Sequence, residues 1–358
     1  MKTSYYKELD GVRAIAALMV MFFHFFQMSN TANYFIAKLA IFGQTGVSLF
    51  FVLSGFLITR ILFKTKGSPN FFSNFYVRRA LRIFPLYYLF LFIYYFVVPF
   101  IIKAPITPFG SQIYYWIYLQ NFADTFKWKT EGPEHFWSLA VEEHFYLFWP
   151  LMIYFFNKQR IVIAIFLIII IAFIVRIILV KYNFGVFYFT FSRIDELAVG
   201  ALLAVLELNG KLVQKNATKF LLSFCGIMIP TLCIWIFFTG EGNNLIQITK
   251  FILLSFSYFS LIGFIITATK ENWLKKILIT KGLTYTGKIS YGLYVYHPLC
   301  FYLFNLFFKT KFTPVNFVLS FSFAYLTATV SYYFFEAKFL RIKDYFNYNM
   351  RAVEKPVN

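Results

Sequence analysis

Long apolar runs, separated by short clusters of basic residues, dominate the chain. Ten of them are long enough to cross about 30 Å of hydrocarbon as helices of roughly 20 residues: 9–28, 41–63, 83–102, 136–156, 161–180, 192–208, 220–239, 245–269, 286–308 and 315–336. The pattern predicts an all-α fold, a polytopic integral membrane helix bundle of about ten transmembrane helices. A further apolar piece at 113–121 is too short to cross and reads as an interfacial or re-entrant segment.

Alternate loops differ in Lys and Arg content, 21 on one side against seven on the other. The basic side marks the cytoplasm, so both termini are expected there. The longest outer loop, 103–135, carries Pro105, Pro108, Trp116, Trp128 and Pro133 and is long enough for a lid or part of a binding site. Neither an internal repeat nor a linker is visible. The expected division is one transmembrane domain at 1–340 and a cytoplasmic tail at 341–358.

Composition agrees. Of 358 residues, 60% are apolar and 14% charged, and mean hydropathy is +0.66. A soluble domain is about 45–50% apolar, so the excess must face lipid. A 23% aromatic share excludes a disordered or collagen-like chain. The net charge of +19 does not point to nucleic acid, because the basic residues are scattered among loops instead of gathered on one face. Cys225, Cys233 and Cys300 lie within apolar stretches and are odd in number, so neither a disulfide framework nor a metal site is expected. No cleavable signal peptide is apparent. The expected location is the cell inner (plasma) membrane.

A charge inside a span costs at least about 2.5 kcal/mol, so each one is a functional candidate. Arg13 and His24 share the first span, eleven positions and about 16–17 Å apart on a helix. The fourth span carries Ser138, Glu142 and Tyr146 on one face at i, i+4 spacing. Arg193 and Asp195 open the sixth, and His297 lies in the ninth. Helical rise places His24, Glu142, Arg193 and Asp195 in the outer half, which reads either as interhelical salt bridges or as a polar cavity with a base available near neutral pH. On the cytoplasmic side, Arg78, Arg79 and Arg82 fall within about one helical turn, enough to bind phosphates by bidentate hydrogen bonds. No phosphate-binding glycine loop for phosphoryl transfer is present.

The runs Leu9-Asp10-Gly11-Val12-Arg13 through His24, Phe50-Phe51-Val52-Leu53-Ser54-Gly55-Phe56-Leu57, Arg78-Arg79-Ala80-Leu81-Arg82-Ile83-Phe84-Pro85, Trp137-Ser138-Leu139-Ala140-Val141-Glu142-Glu143 and Ser290-Tyr291-Gly292-Leu293-Tyr294 with His297 occur in that order. Together they resemble the bacterial acyltransferase-3 family of integral membrane O-acyltransferases acting on carbohydrates and related molecules. His144 stands where the family pattern usually has Gln, and Tyr296 where Trp is common. Some relatives carry a C-terminal SGNH-type domain; none is expected here.

The resemblance implies an acyl-CoA donor, usually acetyl-CoA, as co-substrate without a tightly bound cofactor, and a carbohydrate hydroxyl as acceptor. It also implies essential roles for His24 and Arg13. Joined to the residue reading, it assigns catalysis to His24, Arg13 and Glu142, with Glu142 orienting the imidazole or binding the sugar. Arg78, Arg79 and Arg82 would hold CoA phosphates, and Arg193, Asp195, Tyr146 and His297 would contact the acceptor. His24 would serve as general base or carry the acyl group itself. The competing reading is a transporter or flippase for a sugar or lipid-linked intermediate using the same polar cavity.

Overall fold

The computed structural model describes residues 5–28, 34–237, 243–308 and 313–346. Residues 347–358 of the expected tail lie outside the described residues. The α-helices are α1 (Glu8–Met28), α2 (Tyr34–Gly43), α3 (Gly46–Thr65), α4 (Phe71–Phe92), α5 (Val98–Ile102), α6 (Phe109–Trp116), α7 (Gln120–Thr125), α8 (Trp137–Phe155), α9 (Lys158–Lys181), α10 (Thr190–Leu208), α11 (Ala217–Phe237), α12 (Asn244–Thr267), α13 (Trp273–Leu278), α14 (Lys281–Phe308), α15 (Thr313–Ser331) and α16 (Ala337–Lys343). Among the described residues there is no strand.

Among the described residues each apolar run is mainly helical, and the run 41–63 crosses the turn at Gln44 and Thr45 between α2 and α3. Seven helical stretches among the described residues are long and apolar enough to cross a membrane: Glu8–Met28, Lys38–Thr65, Phe71–Ile102, Lys158–Lys181, Gln214–Trp235, Asn244–Thr267 and Pro314–Lys343. The other three runs form α8, α10 and α14, which give positions to Glu142 and Glu143, to Arg193, Asp195 and Glu196, and to His297. Asp195, Glu196 and His297 are fully buried, so these helices turn their polar groups toward protein, where such groups cost less than in lipid. A lipid-facing helix looks different. Ile163, Phe166, Leu167, Ile170, Ile174, Ile177 and Ile178 form an exposed apolar stripe on α9, while Arg176 on its other side is fully buried. The chain is a multi-pass membrane protein.

Lipid is as apolar as leucine, so helices here are held by close packing of small residues. Gly55 of α3 abuts the Leu197 carbonyl of α10, and Gly200 of α10 abuts the Val52 carbonyl. A methyl group at either position would collide with backbone, which explains the glycine in the Ser54-Gly55-Phe56 signature. The same contact fixes the face that α3 turns toward α8.

The segment 113–121 is two pieces instead of one. α6 ends at Trp116 and α7 begins at Gln120, because Tyr118 between them takes a left-handed backbone, φ 59°. That conformation is uncommon for a bulky residue. Tyr118 is held there by stacking on Tyr87 at 4.2 Å between ring centroids. The long loop is thereby folded into a cap that packs against α4 and α8.

Candidate functional site

Two cavities meet inside the bundle. The first, about 190 Å³, is lined by Arg13 of α1, Ser54 of α3, Arg79 and Arg82 of α4, Ser138, Glu142 and Tyr146 of α8, and Ser290, Tyr291 and Tyr294 of α14. Arg13 donates to Asp10 Oδ1 at 2.8 Å. Glu142 accepts from the hydroxyls of Ser54 and Tyr146 and lies in the field of Arg79 and Arg82. The Arg79 guanidinium sits 5.6 Å from the Tyr146 ring centre. Three guanidiniums and one carboxylate give this arginine cavity an excess of positive charge, suited to an anion with an apolar extension.

The second cavity, about 970 Å³, lies between α1, α2, the 180–188 segment and α12, with Glu134 and His135 at the end of the long loop on its wall. His24, Gln27, Gln44, Glu134, His135, Trp137, Tyr188, Gln247 and Lys250 are among its lining groups. Val47 and Tyr294 line both cavities. In the cap above, burial, with the charge of Glu134 adding, pushes the Asp124 carboxyl up to about 7.

Three histidines cluster at this histidine cavity. His24 Nδ1 is 2.8 Å from His297 Nε2, His297 Nδ1 is 2.9 Å from the Leu293 carbonyl, and the ring centres of His24 and His135 are 6.2 Å apart. A carbonyl only accepts, so Nδ1 of His297 carries a proton and, in the neutral ring, Nε2 accepts. His24 must then donate through Nδ1, which leaves the lone pair on its Nε2. The same reasoning protonates His135 at Nε2, bonded to the Val295 carbonyl at 3.1 Å, and leaves its Nδ1 as acceptor. Pro298 supports the arrangement. Lacking an N–H, it leaves the Tyr294 carbonyl without its helical donor, and His297 bonds there as well as at Leu293.

The structure thus divides the residues singled out in the sequence. Arg13, Arg79, Arg82, Glu142 and Tyr146 share the arginine cavity. His24 lines the other, and His297 backs it without lining it. Arg78 turns away, donating to the Lys343 and Phe346 carbonyls at 3.0 and 3.2 Å and tying α4 to the end of α16. Glu142 orients no imidazole; its partners are Ser54 and Tyr146, and the groups bonded to His24 are His297 and the Val20 carbonyl one helical turn earlier. Arg193 and Asp195 line neither cavity. Arg193 pairs with Glu196 at 2.5 Å inside an aromatic cage that includes Phe251, 4.0 Å from ring centre to guanidinium, and Asp195 pairs with Arg176 at 2.8 Å, both fully buried. His144 bonds Thr190 Oγ1 at 2.7 Å and lines neither cavity. Sequence reasoning passed over His135, Ser54 and Tyr294. All three stand in or directly beside the signature runs, which was the available signal.

Comparison with known proteins gives a family. The acyltransferase-3 model, described as an acyltransferase domain, matches residues 6–336. YrhL of Bacillus subtilis (strain 168), provisionally named a peptidoglycan O-acetyltransferase, is 31% identical over 322 residues, covering 82% of this chain and 48% of that protein. The O-acetyltransferase OatA of Staphylococcus aureus (strain NCTC 8325 / PS 47) is 27% identical over 353 residues, covering 93% of this chain and 57% of that protein. The chain spans about half the length of the curated relatives it matches. No solved structure is significantly similar. With the family model spanning nearly all of the sequence and the five signature runs arranged around two adjoining cavities, the chain belongs to the acyltransferase-3 family.

Proposed function

We propose that this protein is a membrane-bound O-acyltransferase that moves an acetyl group from cytoplasmic acetyl-CoA to a hydroxyl of a cell-wall carbohydrate. The observation that carries the reading is the adjacency of the two cavities, one rich in guanidinium, the other presenting a histidine nitrogen with an available lone pair, sharing Val47 and Tyr294 as a wall. The names of the relatives support acetyl transfer to a carbohydrate.

In this mechanism Arg79 and Arg82, with Arg13, hold the anionic donor by charge-assisted hydrogen bonds. The thioester reaches the wall, and the acceptor lies in the histidine cavity, whose amides (Gln27, Gln44, Gln247) and rings (Trp137, Tyr188) suit a sugar's hydroxyls and apolar faces. The acceptor oxygen attacks the thioester carbonyl carbon as its proton passes to His24 Nε2, and His297 accepts the hydrogen bond from the imidazolium forming at Nδ1. The C–S bond breaks, and His24 returns its proton to the departing thiolate. The products are an acetyl ester and free CoA.

The test is vectorial. In sealed vesicles of known orientation, labelled acetyl-CoA supplied at the face bearing the arginine cavity should label a carbohydrate confined to the other side. Labelling only when both substrates share a compartment would replace this scheme with a single-sided transfer.

A further inference from the structure

We infer that Val47 and Tyr294 form a gate whose bore sets the length of acyl group the protein accepts, an inference that rests on the proposed transfer from acyl-CoA. These two buried residues line both cavities. Any group passing from the arginine cavity to the histidine cavity along this wall must pass between or beside them.

The two sides of the gate differ in stiffness. The Tyr294 hydroxyl is held by the His135 carbonyl at 2.8 Å and by Ser138, and its ring lies 6.1 Å from Phe50, so it is fixed by hydrogen bonds and packing together. Its ring centre is 6.0 Å from that of His297 and 5.6 Å from that of His135, so a group that clears the gate arrives directly among the histidines. Val47, on α3, is apolar and short; its volume alone narrows the passage. A longer acyl chain must fit its extra methylenes against these side chains at the moment when its carbonyl faces His24. Close-packed interiors respond to a single methylene, and discrimination of one methylene in an apolar pocket is worth about 10-fold or more.

The experiment compares acetyl-CoA, propionyl-CoA and butyryl-CoA as donors to the full chain in lipid nanodiscs. Val47→Ala, which disturbs no hydrogen bond, should raise the ratio of butyryl to acetyl kcat/KM by about tenfold. Val47→Ile should lower it. Tyr294→Phe keeps the ring but frees it from Ser138 and the His135 carbonyl, and should broaden the donor range less than Val47→Ala does. Thermal unfolding of each variant guards against loss of the fold. If wild type turns over and the ratio stays within twofold in both Val47→Ala and Val47→Ile, the gate is overturned while the transfer reading stands. A wild type that uses no CoA thioester removes both.

Discussion

His24 donates through Nδ1 to Nε2 of His297 across 2.8 Å, and the direction of that bond is dictated by a carbonyl one helical turn before His297. The Leu293 oxygen fixes one tautomer, which fixes the next, so backbone geometry in α14 decides which nitrogen of a histidine in α1 keeps its lone pair. His24→Ala should therefore lower turnover by about 100-fold or more with expression unchanged. His297→Ala should lower kcat with little effect on donor KM, and His297→Gln, whose amide oxygen can still accept, should recover part of the loss. Steady-state kinetics on the three purified variants checks this. Equal kcat in His297→Ala and wild type would remove the relay.

Arg79 and Arg82 line the arginine cavity whereas Arg78 ties α4 to the last turns of the chain. Arg79→Ala and Arg82→Ala should raise donor KM more than they lower kcat, the signature of lost uniform binding. Lys at either position should rescue only in part, since an ammonium lacks the bidentate fork. Arg78→Ala should lower the unfolding temperature and leave donor KM in place. Donor titrations across the three arginines distinguish these outcomes.

The fully buried pair of Arg176 and Asp195 predicts a stability effect. Removing one partner strands the other charge, so Asp195→Ala should destabilise by about 3–5 kcal/mol. The double change Arg176→Met with Asp195→Leu should cost less than either single truncation. Unfolding of the three variants in one detergent gives the comparison, and acceptor KM of the folded fraction should not move.

Asp124 lies in the cap, outside the spans, and its carboxyl titrates near 7 in the fold against an ordinary value of 3.8. Between those values the folded state holds a proton that the unfolded chain has released, so this group's stabilising contribution is complete below pH about 4 and is lost as pH rises to about 7. The unfolding temperature of wild type should fall relative to Asp124→Asn across that window. Parallel melting curves from pH 4 to 8 would show it as a difference between the two proteins that shifts against wild type between pH about 4 and 7.

How much of this was legible in the sequence depends on which coordinate each argument used. Run length found the helices, and i, i+4 spacing found the shared face of Ser138, Glu142 and Tyr146. Helical rise gives depth and no direction around the axis, so Glu142 was grouped with His24 although it opens into the neighbouring cavity. Spacing of four puts Arg78 and Arg82 on one face, and their divergence was hidden for another reason: the carbonyls that attract Arg78 lie at the end of α16 and just beyond it, some 265 positions later. Arg193 and Asp195 were visible as charges, but the cage around Arg193 is built from Phe187, Phe51 of α3, Trp137 of α8 and Phe251 of α12, and the partner of Asp195 comes from α9. His135 precedes its helix, where no periodicity singles it out.

The partition at Val47 and Tyr294 also has an electrical meaning. Where the cavities on either side admit water, the transmembrane potential, about 2.3 kcal/mol per elementary charge per 100 mV, falls mostly over the layer between them. In the proposed reaction the phosphates remain on one side of that layer, and the acyl group that passes it in one direction is exchanged for the acceptor's proton, which passes to the thiolate in the other. Transfer of this kind moves no net charge through the field, so an energised membrane neither drives nor brakes it, and the wall that admits the acyl group keeps the bilayer insulated.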